Sequence, residues 1–328
     1  MRWFEIVPNI SIAGKPEMIK DIQQMFRRYR HCFLMHHEGG SSANRTVLSI
    51  LAEEKSVVPL GLELAKIAEK YINMEAQKGV HPRMGALDVF PIIPVKGEMS
   101  RAVSLAHEFG KALAEEMKIP GYYYEMAALA QKNQNLANAR CSYEKLAARV
   151  QKEPFDFGIG LEYEKSGATA VGARPLMLAV NFSLEKADLK TAKRIAEKIR
   201  ESGNRKEKGM YLGLKSIAWY LEDLDKVQIS CNVTRMNHCH LFDLFHTIDA
   251  ALNLKKNQVS GTEIIGLVPE SALLNKNLYP GTKEEKLNFA VQHLRLSELQ
   301  AFKIEERVLE QQVEKYIGKS LEWETQVF

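Results

Sequence analysis

Residues Gly79-Val80-His81-Pro82-Arg83-Met84-Gly85-Ala86-Leu87-Asp88-Val89-Phe90-Pro91-Ile92-Ile93-Pro94-Val95 pass from a turn into an apolar extended run. On one side of this stretch Pro59 to Gln77, and on the other Glu98 to Met117, place apolar side chains at three- and four-residue intervals. A strand framed by two amphipathic helices is the building unit of an α/β protein. Pro91 and Pro94 have no amide donor, so this strand is expected at a sheet edge or with a bulge.

The alternation continues outward. Strands are expected over Trp3–Val7, Cys32–His36, Ala86–Val95, Gly121–Tyr124, Thr169–Ser183, Lys215–Leu221, Val227–Val233 and Glu263–Pro269. Further helices are expected over Glu17–Arg30, Glu185–Glu201, Leu241–Leu254 and Lys283–Arg295. Lys132–Asn138 and Glu153–Gly160 read as surface loops. The fold class is α/β (α+β) with two lobes, 1–178 and 179–317, followed by a tail at 318–328.

With 45% hydrophobic and 26% charged residues, the chain can bury two cores. The net charge of +4 is spread along the sequence, so despite a pI of about 8.7 no basic face for nucleic acid is expected. Cys32, Cys141, Cys231 and Cys239 form no C-x-x-C pair and read as reduced thiols of a cytoplasmic protein. Glu5, Pro8 and Asn9 interrupt any signal-peptide pattern, and no run is long enough to span a membrane.

Three stretches carry candidate chemistry. His81, on a loop at a strand entrance, can accept and return a proton near neutrality, with Arg83 fixing an anion beside it and Gly85 allowing close backbone approach. A loop histidine bonded to backbone beside an exposed arginine accounts for the spacing equally well. The run His36-His37-Glu38-Gly39-Gly40-Ser41-Ser42-Ala43-Asn44-Arg45 follows a strand, where α/β folds hold ligands. His36 and His37 would face opposite sides of a strand, which argues for an acid/base or polar rim over a metal. Glycines at 158, 160, 167 and 172 precede a strand, unlike a dinucleotide fingerprint, which precedes a helix. His238, Cys239, His240 and Cys231 match no usual zinc spacing, and His246 reads as a structural residue of its helix.

Gly79 to Asp88, Asn44-Arg45-Thr46, Val7-Pro8-Asn9, Gly167-Ala168-Thr169 with Val171-Gly172-Ala173-Arg174, and Gly266-Leu267-Val268-Pro269 together resemble the formiminotransferase family from Val7 to about Ile317. The resemblance implies two ferredoxin-like lobes. Each would be a mixed sheet covered by helices on its outer face, with a folate tunnel between the sheets and a homodimer as the assembly. It implies transfer of the formimino group from N-formimino-L-glutamate to N5 of tetrahydrofolate, the co-substrate, with no metal. By motif, His81 takes the catalytic histidine's place. Glu38 retains a carboxylate where the family has aspartate, and His36 stands at a position that is usually acidic. The folate segment falls on Gly158, Ile159, Gly160, Leu161, Glu162, Tyr163, Glu164, Lys165, Ser166 and Gly167. Asn44, Arg45, Arg83 and Arg174 are the expected substrate contacts, because both substrates are anionic. No cyclodeaminase domain follows, so the expected form is the stand-alone transferase. The alternatives are folate-dependent formyl transfer, handling of 5-formyltetrahydrofolate, and a folate-binding module without turnover.

Overall fold

The computed structural model describes residues 1–13, 15–40, 44–79, 82–222, 225–254, 257–274 and 279–318. The chain divides into two compact units, Met1–Pro175 and Leu176 onward.

In chain order the first unit comprises β1 (Trp3–Ile6), β2 (Asn9–Ile10), α1 (Pro16–Phe26), β3 (Cys32–Gly40), β4 (Arg45–Glu53), α2 (Val57–Tyr71) and β5 (Leu87–Lys96). It continues with α3 (Met99–Ala112), β6 (Gly121–Glu125), the short helices α4 (Leu136–Ala139) and α5 (Leu146–Val150), and β7 (Thr169–Ala173). The sheet is mixed. Strand β3 pairs antiparallel with β4, β1 and β2 both lie antiparallel between β4 and β5, and β5, β7 and β6 run parallel.

β5 is therefore an interior strand, and of the two expectations for its prolines only the bulge is met. Its register slips between Phe4↔Pro94 and Trp3↔Lys96, and again between Asn9↔Val89 and Ile10↔Leu87. Pro91 sits opposite the break between β1 and β2, where its carbonyl accepts the Val7 amide at 3.3 Å. Pro94 lies beyond the last β5–β7 pair, Ile92↔Ala173. An interior strand tolerates proline where the neighbouring strand offers no acceptor for the missing amide.

One face of this sheet packs on α1, α2 and α3. Phe4, Ile6, Ile50, Phe90, Ile92 and Val171 meet Met18, Ile22, Leu64, Ala106 and Phe109 in a single core. Because side chains alternate along a strand, the intervening residues Glu5, Asn9, Ser49 and Tyr124 occupy the face without those helices.

The second unit comprises β8 (Leu178–Leu184), α6 (Leu189–Ile199), β9 (Leu214–Leu221), β10 (Lys226–Val233), α7 (Leu241–Asn253) and β11 (Val259–Ile265). These are followed by α8 (Glu270–Leu273), α9 (Lys283–His293), α10 (Ile304–Arg307) and α11 (Leu309–Ile317). The strand order is β11-β8-β10-β9, and its pairings are antiparallel. The expected mixed sheet is thus absent from the described residues of this unit. Each helical crossover, β8 to β9 through α6 and β10 to β11 through α7, skips one strand, so parallel strands are never neighbours. The stripe Ala192, Ile195, Ala196 and Ile199 of α6 packs on Val180, Phe182, Ile229 and Cys231.

The run expected as one strand over Thr169–Ser183 is two, broken across Arg174–Met177, where Pro175 interrupts the ladder. Strand β4 had no counterpart in the expectations, and β11 begins four residues before Glu263. Cys231 and Cys239 lie in the core while His238 and His240 are exposed, so burial separates that cluster. Among the described residues no group of three or more metal-ligating side chains occurs, and no helix is long and apolar enough to cross a membrane.

Candidate active site

The Gly79–Asp88 motif ends on Asp88, which is fully buried at the bulge of β5. Its carboxylate accepts from Arg45 Nη1 at 2.5 Å, from Arg140 Nη1 at 2.8 Å and from the Met84 amide at 2.7 Å. Burial alone would raise the Asp88 pKa; the charges of Arg45 and Arg140 and the Met84 amide outweigh it and hold the carboxyl below its ordinary value. Asp88 is therefore ionised at neutral pH. The Asp88 carboxylate thus bridges the two guanidinium groups.

Arg45 also donates from Nε to Asn9 Oδ1 at 2.9 Å, and Asn9 Nδ2 is held by the Val7 carbonyl at 2.9 Å. The Val7-Pro8-Asn9 and Asn44-Arg45 motifs thus meet on the helix-free face of the sheet. Tyr124 adjoins them. Burial pushes its phenol up to about 12, against the opposing influence of Arg174, which hydrogen-bonds it, so it remains a neutral hydroxyl. The backbone of Arg174 is fixed by its amide on the Ile92 carbonyl at 3.2 Å, and Nη1 reaches the Pro175 carbonyl at 2.9 Å.

Asn44 has a left-handed φ of 46°. Its side chain accepts from the Ala13 amide at 2.8 Å and donates to the Lys78 carbonyl at 2.6 Å, tying together three loops that are distant in sequence. Arg83 is buried, and its guanidinium engages Gln77 Oε1 at 2.5 Å, the Gln77 carbonyl at 2.6 Å and Glu144 Oε1 at 2.6 Å. It clamps the two ends of the segment that carries His81. His81 itself, with Val80 and Ser41–Ala43, lies outside the described residues.

Strand β3 continues through His36 and Glu38 to Gly40, so these residues stand on a strand and not on the loop after it. A register slip between Leu34 and His36 sets His36 opposite Ser49 and Glu38 opposite Val47. Both side chains consequently fall on the helix-free face, with His36 Nε2 3.8 Å from Glu38 Oε2.

The Gly158–Gly167 segment is anchored at its end and open at its start. Gly158, Gly160 and Gly167 have φ of 72°, 78° and 68°, and Ile159 is 74% exposed. Ala86 donates to the Ser166 carbonyl at 2.8 Å, Ala168 to the Met84 carbonyl at 3.1 Å, and Met74 to the Lys165 carbonyl at 2.8 Å. A Cβ on Gly167 would stand 2.2 Å from the Met84 oxygen, so only glycine fits against the motif there. Ser166 Oγ donates to Glu69 Oε1, and Tyr163 packs on Phe155. Glu162 and Glu164 are exposed, and Leu161 is half-buried.

Sequence reasoning did not single out Arg140, Tyr124 or the anchoring role of Asp88. Asp88 closes the most specific motif and Arg140 closes a polar segment, but their pairing spans 52 residues and carries no local spacing signal.

Residues 3–174 match the formiminotransferase domain, N-terminal subdomain, and residues 179–314 match the formiminotransferase domain. The chain belongs to the formiminotransferase family. It is 34% identical over 319 residues to the formimidoyltransferase-cyclodeaminase of Rattus norvegicus, a match covering 93% of this chain and 59% of that protein. It is 31% identical to the glutamate formimidoyltransferase of Streptococcus pyogenes serotype M1 over 83% of this chain and 90% of that protein. The glutamate formimidoyltransferase of Thermoplasma acidophilum is also 31% identical, with 85% and 92% covered. The chain thus spans a little under two thirds of the bifunctional relatives and nearly the whole of the shorter ones. The N-terminal subdomain match, residues 3–174, contains Arg45, Arg140, Glu38 and the Gly158–Gly167 segment.

Proposed function

We propose that this chain is a glutamate formiminotransferase, moving the formimino group of N-formimino-L-glutamate to N5 of tetrahydrofolate. What carries the reading is the family match in both units, shared with short relatives named for that activity.

In this reading N5 of the folate attacks the amidine carbon and the new C–N bond forms as the N5 proton passes to the His81 imidazole. The bond from that carbon to the glutamate nitrogen then breaks, and the imidazolium returns the proton to the departing nitrogen, releasing glutamate. Glu38 faces the positive charge that develops on the amidine. The guanidinium groups of Arg45 and Arg140, with Arg174 beside Tyr124, suit the donor's carboxylates. Asn44 and Arg83 hold residues that flank His81 in sequence, Lys78 and Gln77, and the open start of Gly158–Gly167 receives the folate. The βαββαβ succession of the second unit supports the ferredoxin-like plan. The folate tunnel, the homodimer and a cytoplasmic site of action belong to the same reading.

The test is turnover by the purified chain with tetrahydrofolate and either formiminoglutamate or formylglutamate. Turnover of the formimino donor at least tenfold faster supports the reading. Preference for the formyl donor, or turnover of neither with folate bound, overturns it.

A further inference from the structure

The second unit brings two histidines together from different helices. His246 stands on the exposed side of α7, and His293 lies in the last turn of α9. Their Nε2 atoms are 2.7 Å apart, with ring planes at 88°. Both helices are fixed from beneath, α7 by Phe242, Phe245 and Ile248 and α9 by Leu287 and Ala290. The His293 ring stacks on Phe289 at 5.0 Å, and Phe242 and Phe245 close on it from α7 at 5.7 and 6.1 Å. His293 is therefore held by an aromatic wall, whereas His246 is exposed and can turn.

At 2.7 Å only one hydrogen fits between the two nitrogens, one ring donating and the other accepting. With both rings in the tautomer that carries the hydrogen on Nδ1, the two Nε2 lone pairs form a chelate for a borderline transition-metal ion, and a poor site for magnesium or calcium, which prefer oxygen. Zinc held at about 2.0–2.1 Å by each nitrogen in tetrahedral geometry needs the donors roughly 3.3 Å apart. A turn of the exposed His246 side chain opens the present gap that far.

We propose that His246 and His293 form a two-ligand site for a divalent transition-metal ion of the zinc class, its remaining positions filled by water. The bound ion would pin α9 to α7. This site has no part in the transfer chemistry and stands whether or not the functional reading does.

The experiment is calorimetric titration of the untagged full chain with zinc chloride, and separately with magnesium chloride, for the wild type, His246→Gln and His293→Gln. The expected result is one zinc per chain in the wild type, binding at least tenfold weaker in each variant, and no magnesium binding. Zinc should raise the wild-type melting temperature and leave that of His246→Gln unchanged. Because His246 is exposed, its variant keeps the fold, which a metal-free melt verifies, and it decides the matter even if His293→Gln is unstable. No zinc binding by the wild type, or unchanged affinity in His246→Gln, overturns the proposal.

Discussion

Replacing Asp88 by asparagine keeps the volume of the side chain and an oxygen for the Met84 amide, and removes only the charge between Arg45 and Arg140. Arg45 is nearly as buried as Asp88, with side-chain exposures of 11% and 0%. Losing one partner of a buried ion pair costs about 3–5 kcal/mol, because the opposite charge is left uncompensated. For a unit of the size of Met1–Pro175, about 2–4 °C of melting temperature per kcal/mol gives a fall of roughly 6–20 °C. The double variant Asp88→Asn with Arg140→Gln should recover part of this, since one orphaned cation is removed with the carboxylate. The pH dependence follows from the depressed carboxyl pKa. The Asp88 contribution is fully present above its ordinary 3.8 and is lost as pH falls through the lower folded value. Thermal melts followed by circular dichroism at pH 7, for the wild type and both variants, test the argument. A loss under about 1 kcal/mol for Asp88→Asn, or a double variant less stable than the single, would refute it.

Other consequences are independent of that network. Gly167→Ala forces a Cβ against the Met84 oxygen at a φ of 68°, and urea denaturation should show a loss of about 1–3 kcal/mol. Burial pushes the Glu310 carboxyl up from 4.5 to about 7, despite the Glu270 amide it accepts, so its neutral form favours folding. Stability should be highest below pH 4.5 with respect to this group and fall as pH rises through 7, by on the order of 3 kcal/mol, and Glu310→Gln should flatten that slope in melts across pH 5–8. Burial raises Cys231 and Cys239 to about 12 and Cys32 to about 11, so a thiol reagent should titrate at most one cysteine rapidly in the native chain. That thiol should vanish in Cys141→Ser.

The helices were legible because α2, α3, α6 and α7 each bury one stripe and expose the rest, which writes a 3.6-residue period into the sequence. Strand β4 was not. Val47, Leu48, Ile50, Leu51 and Ala52 form a nearly continuous apolar run, with every residue from Leu48 to Glu53 buried, and without alternation the strand's period is invisible. The prolines of β5 pointed to an edge or a bulge, and the bulge is what occurs; the gap between β1 and β2 that excuses Pro91 is a tertiary feature. The candidate site divides in the same way. Motif loops such as Asn44-Arg45 and Gly79–Asp88 stand out by glycine and proline chemistry, whereas Arg140 and Tyr124 join them only when the sheet forms. His36 and Glu38 share a face because of one register slip, which no reading of the sequence could place.

The central claim is that this fold moves a formimino group by proton transfer through His81. Single-turnover transfer from formiminoglutamate to tetrahydrofolate, measured for the wild type beside His81→Ala with folate affinity measured in parallel, tests it most directly. The account predicts transfer in the wild type, a loss of at least about a hundredfold in the variant, and unchanged folate binding. Equal rates in the two proteins, or no transfer by the wild type at saturating folate, would contradict it.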